Sequence, residues 1–409
     1  MAASSGHAVG PRVAVGPRVA VGPRVAVGPR VITWSPSVTL VPARGCFNAC
    51  GYCSFRLPVD PANPFSGGLE PEVAATLLRQ RPEALEVLLL SGEVAPEAPD
   101  RGRWFGRLRQ FCQLALEQGR LPHTNAGPLS RREMALLGRL NGSLGLMLEG
   151  LGPAYDAPHR QAPSKRLARR LEQLELAGRL GIPFTTGLLL GLGESASDRR
   201  DALELLAHLH SRWGHIQEVI LQPWHPGPDP AGGPSPGGPS PGGPSANTAV
   251  TSATSPGSTS PSSSFADSTS PRSTSPGSPA AAQTPAPLAD ATCDALLATI
   301  AAARSILPPE VHLQLPPNLW PAARLIEALD AGINDLGGID LHDVINPAYP
   351  QPPIGSLAAT LAAAGYQLRP RLCVHRAWYG FLPTALGQRA IALEARLLAS
   401  DPAMPTPEP

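Results

Sequence analysis

Short apolar runs alternate with stretches of helical periodicity along this chain. VTLV (38–41), EVLLL (86–90), LPHTN (121–125), LGLMLE (144–149), FTTGLLLG (184–191), EVILQ (218–222) and VHLQL (311–315) predict strands, and NDLGGI (334–339) is a weaker one. Between them, apolar residues recurring at three and four positions predict helices at 70–80, 105–118, 130–140, 164–180, 197–213, 290–304 and 321–332. Strand and helix alternate at least six times, which predicts an α/β fold on a parallel sheet. Eight such units would close a (β/α) barrel; fewer would leave a partial or near-complete one.

Two stretches break the pattern. Residues 1–31 contain AVGPRV four times in register, with a proline fixed in each copy. Four copies this short bury almost nothing, so a disordered tail is expected rather than a β-helix. The segment is free of Asp and Glu and rich in Arg, as in a transit peptide, but its Gly-Pro pairs oppose the amphipathic helix of such peptides. Residues 226–287 are dominated by Pro, Gly, Ser, Thr and Ala. Such a chain buries too little surface to offset its ordering entropy, and patterned sequence resumes after it. The expectation is one domain over 32–390, interrupted by a disordered insertion at 226–287, with tails at 1–31 and 391–409.

Composition narrows the partners. The net charge of +1 points to neither nucleic acid nor a membrane surface. No apolar run reaches the roughly 18 residues of a membrane helix, and no apolar signal core forms at the N-terminus. Six cysteines in 409 residues are too few for a disulfide framework, so a reducing, cytoplasmic setting is expected.

Three of those cysteines fall within CFNACGYC, as Cys46, Cys50 and Cys53. The motif follows the first strand, so it projects from the strand C-terminal rim where barrel active sites lie. Polar residues gather at the same rim: Ser91-Gly92-Glu93, Asn125, Glu149 and Gln222. Three thiolates chelate one metal centre. A closed zinc site wants a fourth ligand, but Cys112 and Cys293 sit in helical patterns far along the chain. An iron–sulfur cluster with three cysteines keeps one iron open.

The C-x3-C-x2-C spacing after a first strand resembles the radical SAM superfamily. ITWSPSVTLVPARGCFNACGYCSFR, LPHTNAGPLSRREMALL, GLMLEGLGPAYDAPHRQAPSKR, IPFTTGLLLGLGE, EVILQPWHPG and DAGINDLGGIDLHDVINPAYPQP, in that order, are similar to the CofG-type 7,8-didemethyl-8-hydroxy-5-deazariboflavin (FO) synthase subunits. The resemblance covers most of 32–225 and 311–380. It implies a TIM-like barrel of radical SAM type and a lyase activity. The cofactors implied are a [4Fe–4S] cluster on Cys46, Cys50 and Cys53 and S-adenosyl-L-methionine (SAM) on the fourth iron. Tyr52 fills the family's aromatic position near the adenine. Ser91, Gly92 and Glu93 stand where the family's Gly-Gly-Glu motif binds the methionine amino group, with Ser in place of the first Gly. The implied partners are a small-molecule substrate from a CofH-type companion enzyme and an electron donor such as a ferredoxin or flavodoxin.

Other residues carry two readings each. Glu149 is a candidate for the SAM ribose or for charge near the sulfonium, against a strand-end salt bridge. Asn125 is a cofactor or substrate contact, or a turn former before Ala-Gly. Arg160 is a partner for the methionine carboxylate, or with His159 and Lys165 a solvated helix start. His342 and Asp343 are candidates for proton transfer, against loop hydrogen bonding. Of Thr185 and Thr186, alternation sends only one inward. The rival functions are a CofH-type or menaquinone-pathway enzyme of the same superfamily and a non-catalytic iron–sulfur or zinc module.

Overall fold

The structure, a computed structural model, describes residues 30–225 and 288–399. Nine parallel strands alternate with helices: β1 (Arg30–Leu40), α1 (Pro71–Gln80), β2 (Glu86–Leu90), α2 (Arg101–Glu117), β3 (Leu121–Asn125), α3 (Arg131–Gly138), β4 (Ser143–Gly145), a single turn α4 (Asp156–His159), α5 (Leu167–Arg179), β5 (Phe184–Leu190), α6 (Ala196–Trp213), β6 (Ile216–Pro223), α7 (Asp290–Ile306), β7 (His312–Gln314), α8 (Leu325–Ala331), β8 (Asp335–Ile339), α9 (Ile354–Ala363), β9 (Tyr366–Pro370) and α10 (Thr384–Ala399). Strands β1 to β8 pair in order, and β8 pairs back onto β1, so the barrel is closed. The expectation of a partial or near-complete barrel resolves into the complete one.

Helix ends follow local chemistry. Ser130 with Glu133 and Ser195 with Asp198 form reciprocal capping boxes that start α3 and α6. Gly214, at φ 64°, ends α6 in the left-handed region. The apolar core lies between barrel and helices, where Leu40, Leu89, Trp104, Leu108 and Phe111 are fully buried.

The boundaries need three corrections. β1 begins at Arg30, two residues inside the expected tail, because Arg30–Trp34 pairs with β9. The domain runs past 390: α10 continues to Ala399 and buries Leu393 and Leu397 against Leu372 and Trp378. LGLMLE is strand only at its start; beyond Gly145, a single bridge from Glu149 to Leu188 remains. The repeats at 8–29 and the insertion at 226–287 lie outside the described residues.

The segment after β9 closes the barrel from below. Arg371 N–H donates to Trp34 O at 2.7 Å. Inside, the guanidinium meets Asp335 at 2.5 Å (Nε) and Glu218 at 2.6 Å. Barrel interiors are ordinarily filled by branched apolar side chains. This one is polar at its lower end and hollow above.

Candidate active site

The loop after β1 is stapled at both ends before it presents a single thiol. Cys46 N–H donates to Leu57 O at 3.1 Å and Leu57 N–H to Arg44 O at 2.9 Å. Between these staples the loop leans on two neighbours: Phe47 N–H donates to Glu93 O at 3.0 Å, and Gly51 N–H to Pro158 O at 2.9 Å. Gly92 is required at the first contact. Its N–H donates to Ala43 O at 2.8 Å, and a Cβ there would lie 2.2 Å from Gly45 O. Ser91 beside it accepts a 2.9 Å hydrogen bond from the Trp104 indole, so its hydroxyl anchors α2.

Cys46, Cys50 and Cys53 are free thiols on this loop, Cys50 buried and the other two half-buried. Burial, then the nearby Glu93 charge, raises the Cys46 thiol; burial pushes Cys50 up to about 11. Both would be protonated at neutral pH, and a metal must displace those protons to bind. The donor set fits an iron–sulfur cluster with one open iron. Cys112, Cys293 and Cys373 are buried elsewhere, Cys112 against Thr124 and Asn141. Among the described residues, His312, Asp335 and His375 form the only group of three or more His, Cys, Asp or Glu whose ligand atoms lie within 4.8 Å of one another.

Two buried carboxylates flank the loop. Glu93 accepts from Asn48 Nδ2 at 2.9 Å, from the Ser164 hydroxyl and from Arg170 at 3.2 Å. Glu149 accepts from the Tyr52 hydroxyl at 3.2 Å and from Lys165, and Arg170 stands 3.9 Å away. Burial alone would raise both carboxyls. The Arg170 and Lys165 charges outweigh it and hold both below the ordinary carboxylate range. Glu149 has φ 78°, the only positive φ outside glycine among the described residues. Such strain persists where surrounding contacts over-determine it, commonly at ligand sites.

Glu149, Tyr52 and Cys53 crown a cavity of about 360 Å³ that descends into the barrel. Asn125 lines it, as do His342 and Asp343 at the mouth. Asp343 is committed to loop contacts: it accepts from Ile345 N–H at 2.8 Å and Asn346 N–H at 2.9 Å in its own loop, and from Asn318 Nδ2 at 2.8 Å in the loop after β7. Thr185 faces the cavity and Thr186 does not, as alternation requires. Arg160 is exposed, whereas Lys165 is paired with Glu149. Asn48, Ser164 and Arg170 were not singled out from the sequence. Arg170 lies in the run KRLARR, and only its place on the inner face of α5 distinguishes it.

The fold and the three-cysteine loop define a radical SAM barrel, and residues 40–206 match the Radical SAM superfamily. Solved structures share the fold. The FeFe-hydrogenase maturase HydG from Carboxydothermus hydrogenoformans aligns over 91% of this chain and 79% of its own with a TM-score of 0.56 and 15% identity. Methylornithine synthase (PylB) aligns over 83% of each chain with a TM-score of 0.51 and 14% identity. Closer in sequence is the 7,8-didemethyl-8-hydroxy-5-deazariboflavin synthase of Synechococcus elongatus, 43% identical over 363 residues, 87% of this chain and 90% of that one. The synthase of Gloeobacter violaceus is 45% identical over 347 residues, 84% of this chain and 90% of that one. The chain belongs to the 7,8-didemethyl-8-hydroxy-5-deazariboflavin synthase family of radical SAM enzymes.

Proposed function

We propose that this chain is a radical SAM lyase that forms FO from 5-amino-5-(4-hydroxybenzyl)-6-(D-ribitylimino)-5,6-dihydrouracil, releasing ammonia. The observation that carries this reading is that the thiol-bearing loop and the substrate-sized cavity share a wall: Tyr52 and Cys53 line the same cavity as the barrel strand ends. A [4Fe–4S] cluster on Cys46, Cys50 and Cys53, with SAM on its open iron, would supply one-electron cleavage of SAM and the hydrogen-abstracting 5'-deoxyadenosyl radical.

The chain's own residues bind, orient and shield. Tyr52 projects from the loop beside the third cysteine, where it contacts the adenine in this reading. Glu149, ionised and held by Lys165, is placed to receive ribose hydroxyls. Glu93 keeps the loop at a fixed height by joining Asn48 to Ser164 and Arg170. The barrel walls keep water from a radical formed at the cavity mouth. The substrate comes from a CofH-type companion, and the electron from a small donor such as a ferredoxin or flavodoxin.

The test separates this role from the companion's. Given the preformed hydroxybenzyl adduct, the reconstituted protein yields FO. Given tyrosine and the ribitylaminouracil instead, it yields neither adduct nor FO. Adduct formation from the two precursors would assign the companion's role.

A further inference from the structure

The cavity changes character with depth. At the mouth are Tyr52, Cys53, Glu149 and Lys165. At the waist are Leu88, Leu90, Met147, Leu189 and Ile220. At the floor are Glu86 and Glu218, from the beginnings of β2 and β6, with His123, Thr185 and Gln314.

The floor has hydrogen-bonding capacity that the protein does not use. The Ser37 hydroxyl is buried without a partner, which native interiors seldom tolerate, and the Ser35 hydroxyl lies beside the Glu86 carboxyl. Both share the inward face of β1 with cavity-lining Thr39. Two glycines hollow the barrel at this level. A Cβ on Gly338 would lie 3.1 Å from Ser37 Oγ and 3.3 Å from Glu86 Oε1, and one on Gly145 would lie 2.7 Å from His123 Nε2. Arg371 pairs with Glu218 at 2.6 Å and Asp335 at 2.5 Å. Arg371 offsets one of these two carboxylate charges from below, and burial pushes the neighbouring Glu86 carboxyl up to about 7, so the floor offers both acceptors and a carboxyl donor to a neutral polar ligand. Alternating hydroxyl, carboxylate and amide groups around a narrow floor match a chain of vicinal hydroxyls.

Resting on the FO-forming reading above, we propose that the floor is a polyol subsite: Glu86, Gln314 and Glu218 bind the ribityl chain, and the apolar waist holds the aromatic rings. This orientation puts the hydroxybenzyl portion toward the cysteine loop. It makes the hydroxyl chain, more than the ring system, the part of the ligand that selects it.

The probes are FO itself and its 10-ethyl analogue, which lacks the hydroxyl chain. Fluorescence titration gives both affinities for the unaltered protein, Glu86→Leu and Gln314→Leu, with thermal unfolding to confirm each fold. The unaltered protein should bind FO at least about tenfold more tightly than the ethyl analogue, as several buried hydrogen bonds imply. Both variants should bring that ratio close to one, mainly by weakening FO. Should Glu86→Leu fail to fold, Gln314→Leu decides alone. A ratio unchanged in the folded variants, or a ratio near one in the unaltered protein, overturns the subsite. FO formation from the adduct is read separately. If it occurs while the ratios refuse to move, the subsite alone is wrong. If it does not occur, the activity is wrong, and the ratios still report on the floor.

Discussion

The Tyr52 hydroxyl donates to Glu149 Oε2 at 3.2 Å, tying the cysteine loop to the end of the fourth barrel unit. His159 Nε2 lies 2.9 Å from the same hydroxyl. Burial lowers the His159 pKa to about 4, so its ring is neutral at working pH. With the tyrosine proton given to Glu149, His159 presents Nε2–H to the tyrosine oxygen. The ring of Tyr52 is thereby fixed from two sides. Tyr52→Phe keeps the ring and loses both bonds. Its KM for SAM should rise about five- to tenfold, as loss of roughly 1 kcal/mol implies, with kcat changed less. Initial rates of 5'-deoxyadenosine formation against SAM concentration measure both.

Arg170 is the cation shared by the two buried carboxylates, 3.2 Å from Glu93 and 3.9 Å from Glu149. Arg170→Met should destabilise the fold by roughly 3 kcal/mol, because it strands buried charge. The pH dependence should also move. Carboxyls held below their unfolded value near about 4 add stability above that value and lose it as pH falls through the lower folded values. Without Arg170 the loss should begin at higher pH. Urea midpoints from about pH 3 to pH 7 follow it.

Gly92 allows the β2 loop to touch the cysteine loop, and a Cβ would sit 2.2 Å from Gly45 O. Backbone cannot yield that distance cheaply. Gly92→Ala should therefore fold but reconstitute with less than about half the iron of the unaltered chain, since the loop carrying Cys46 is displaced. Ser91→Gly at the neighbouring position should load iron normally, because only side-chain bonds are lost, from the Trp104 indole and to the Ala43 and Gly92 carbonyls, while the backbone contact of Gly92 with Ala43 stays.

Replacing Cys50 by Ala should abolish stable cluster loading and SAM cleavage. Cys112→Ala should leave both in place at a cost of about 1–2 kcal/mol in stability, because that thiol is fully buried and serves packing. Iron and sulfide analysis with the visible absorption spectrum reads both variants. Cleavage of SAM by Cys50→Ala would remove that residue from the ligand set.

Deletion of 228–285 should leave FO formation within about twofold of the full chain. That segment's composition cannot build a core, and the chain on either side is anchored: His225 bonds Leu319 O at 2.9 Å, and α7 begins at Asp290. Loss of cluster or activity in the deletion would show that the segment contributes directly.

What the sequence disclosed follows from the range of each signal. The cysteine spacing, Ser91-Gly92-Glu93 and the strand-end Glu149 were legible because each depends on a few adjacent residues and a strand period. Asn48, Ser164 and Arg170 were not, because they reach Glu93 across 45, 71 and 77 residues. The Ala-rich IGSLAATLAA gave little periodic contrast, so α9 passed unnoticed, and β9 and α10 with it. NDLGGI looked weak as a strand for its glycines, yet those glycines open the barrel interior. Ser35 and Ser37 precede the strand expected at 38–41, and only the longer β1, paired into the barrel, puts them on its inward face.

The most direct measurement is a single anaerobic turnover. The protein, reconstituted with iron and sulfide and reduced, is mixed with SAM and the hydroxybenzyl–ribitylimino uracil. 5'-Deoxyadenosine and fluorescent FO are then quantified together. Both should rise with the same time course, and neither should form with Cys50→Ala. 5'-Deoxyadenosine without FO would contradict the substrate, and a fully loaded cluster that cleaves no SAM would contradict the site.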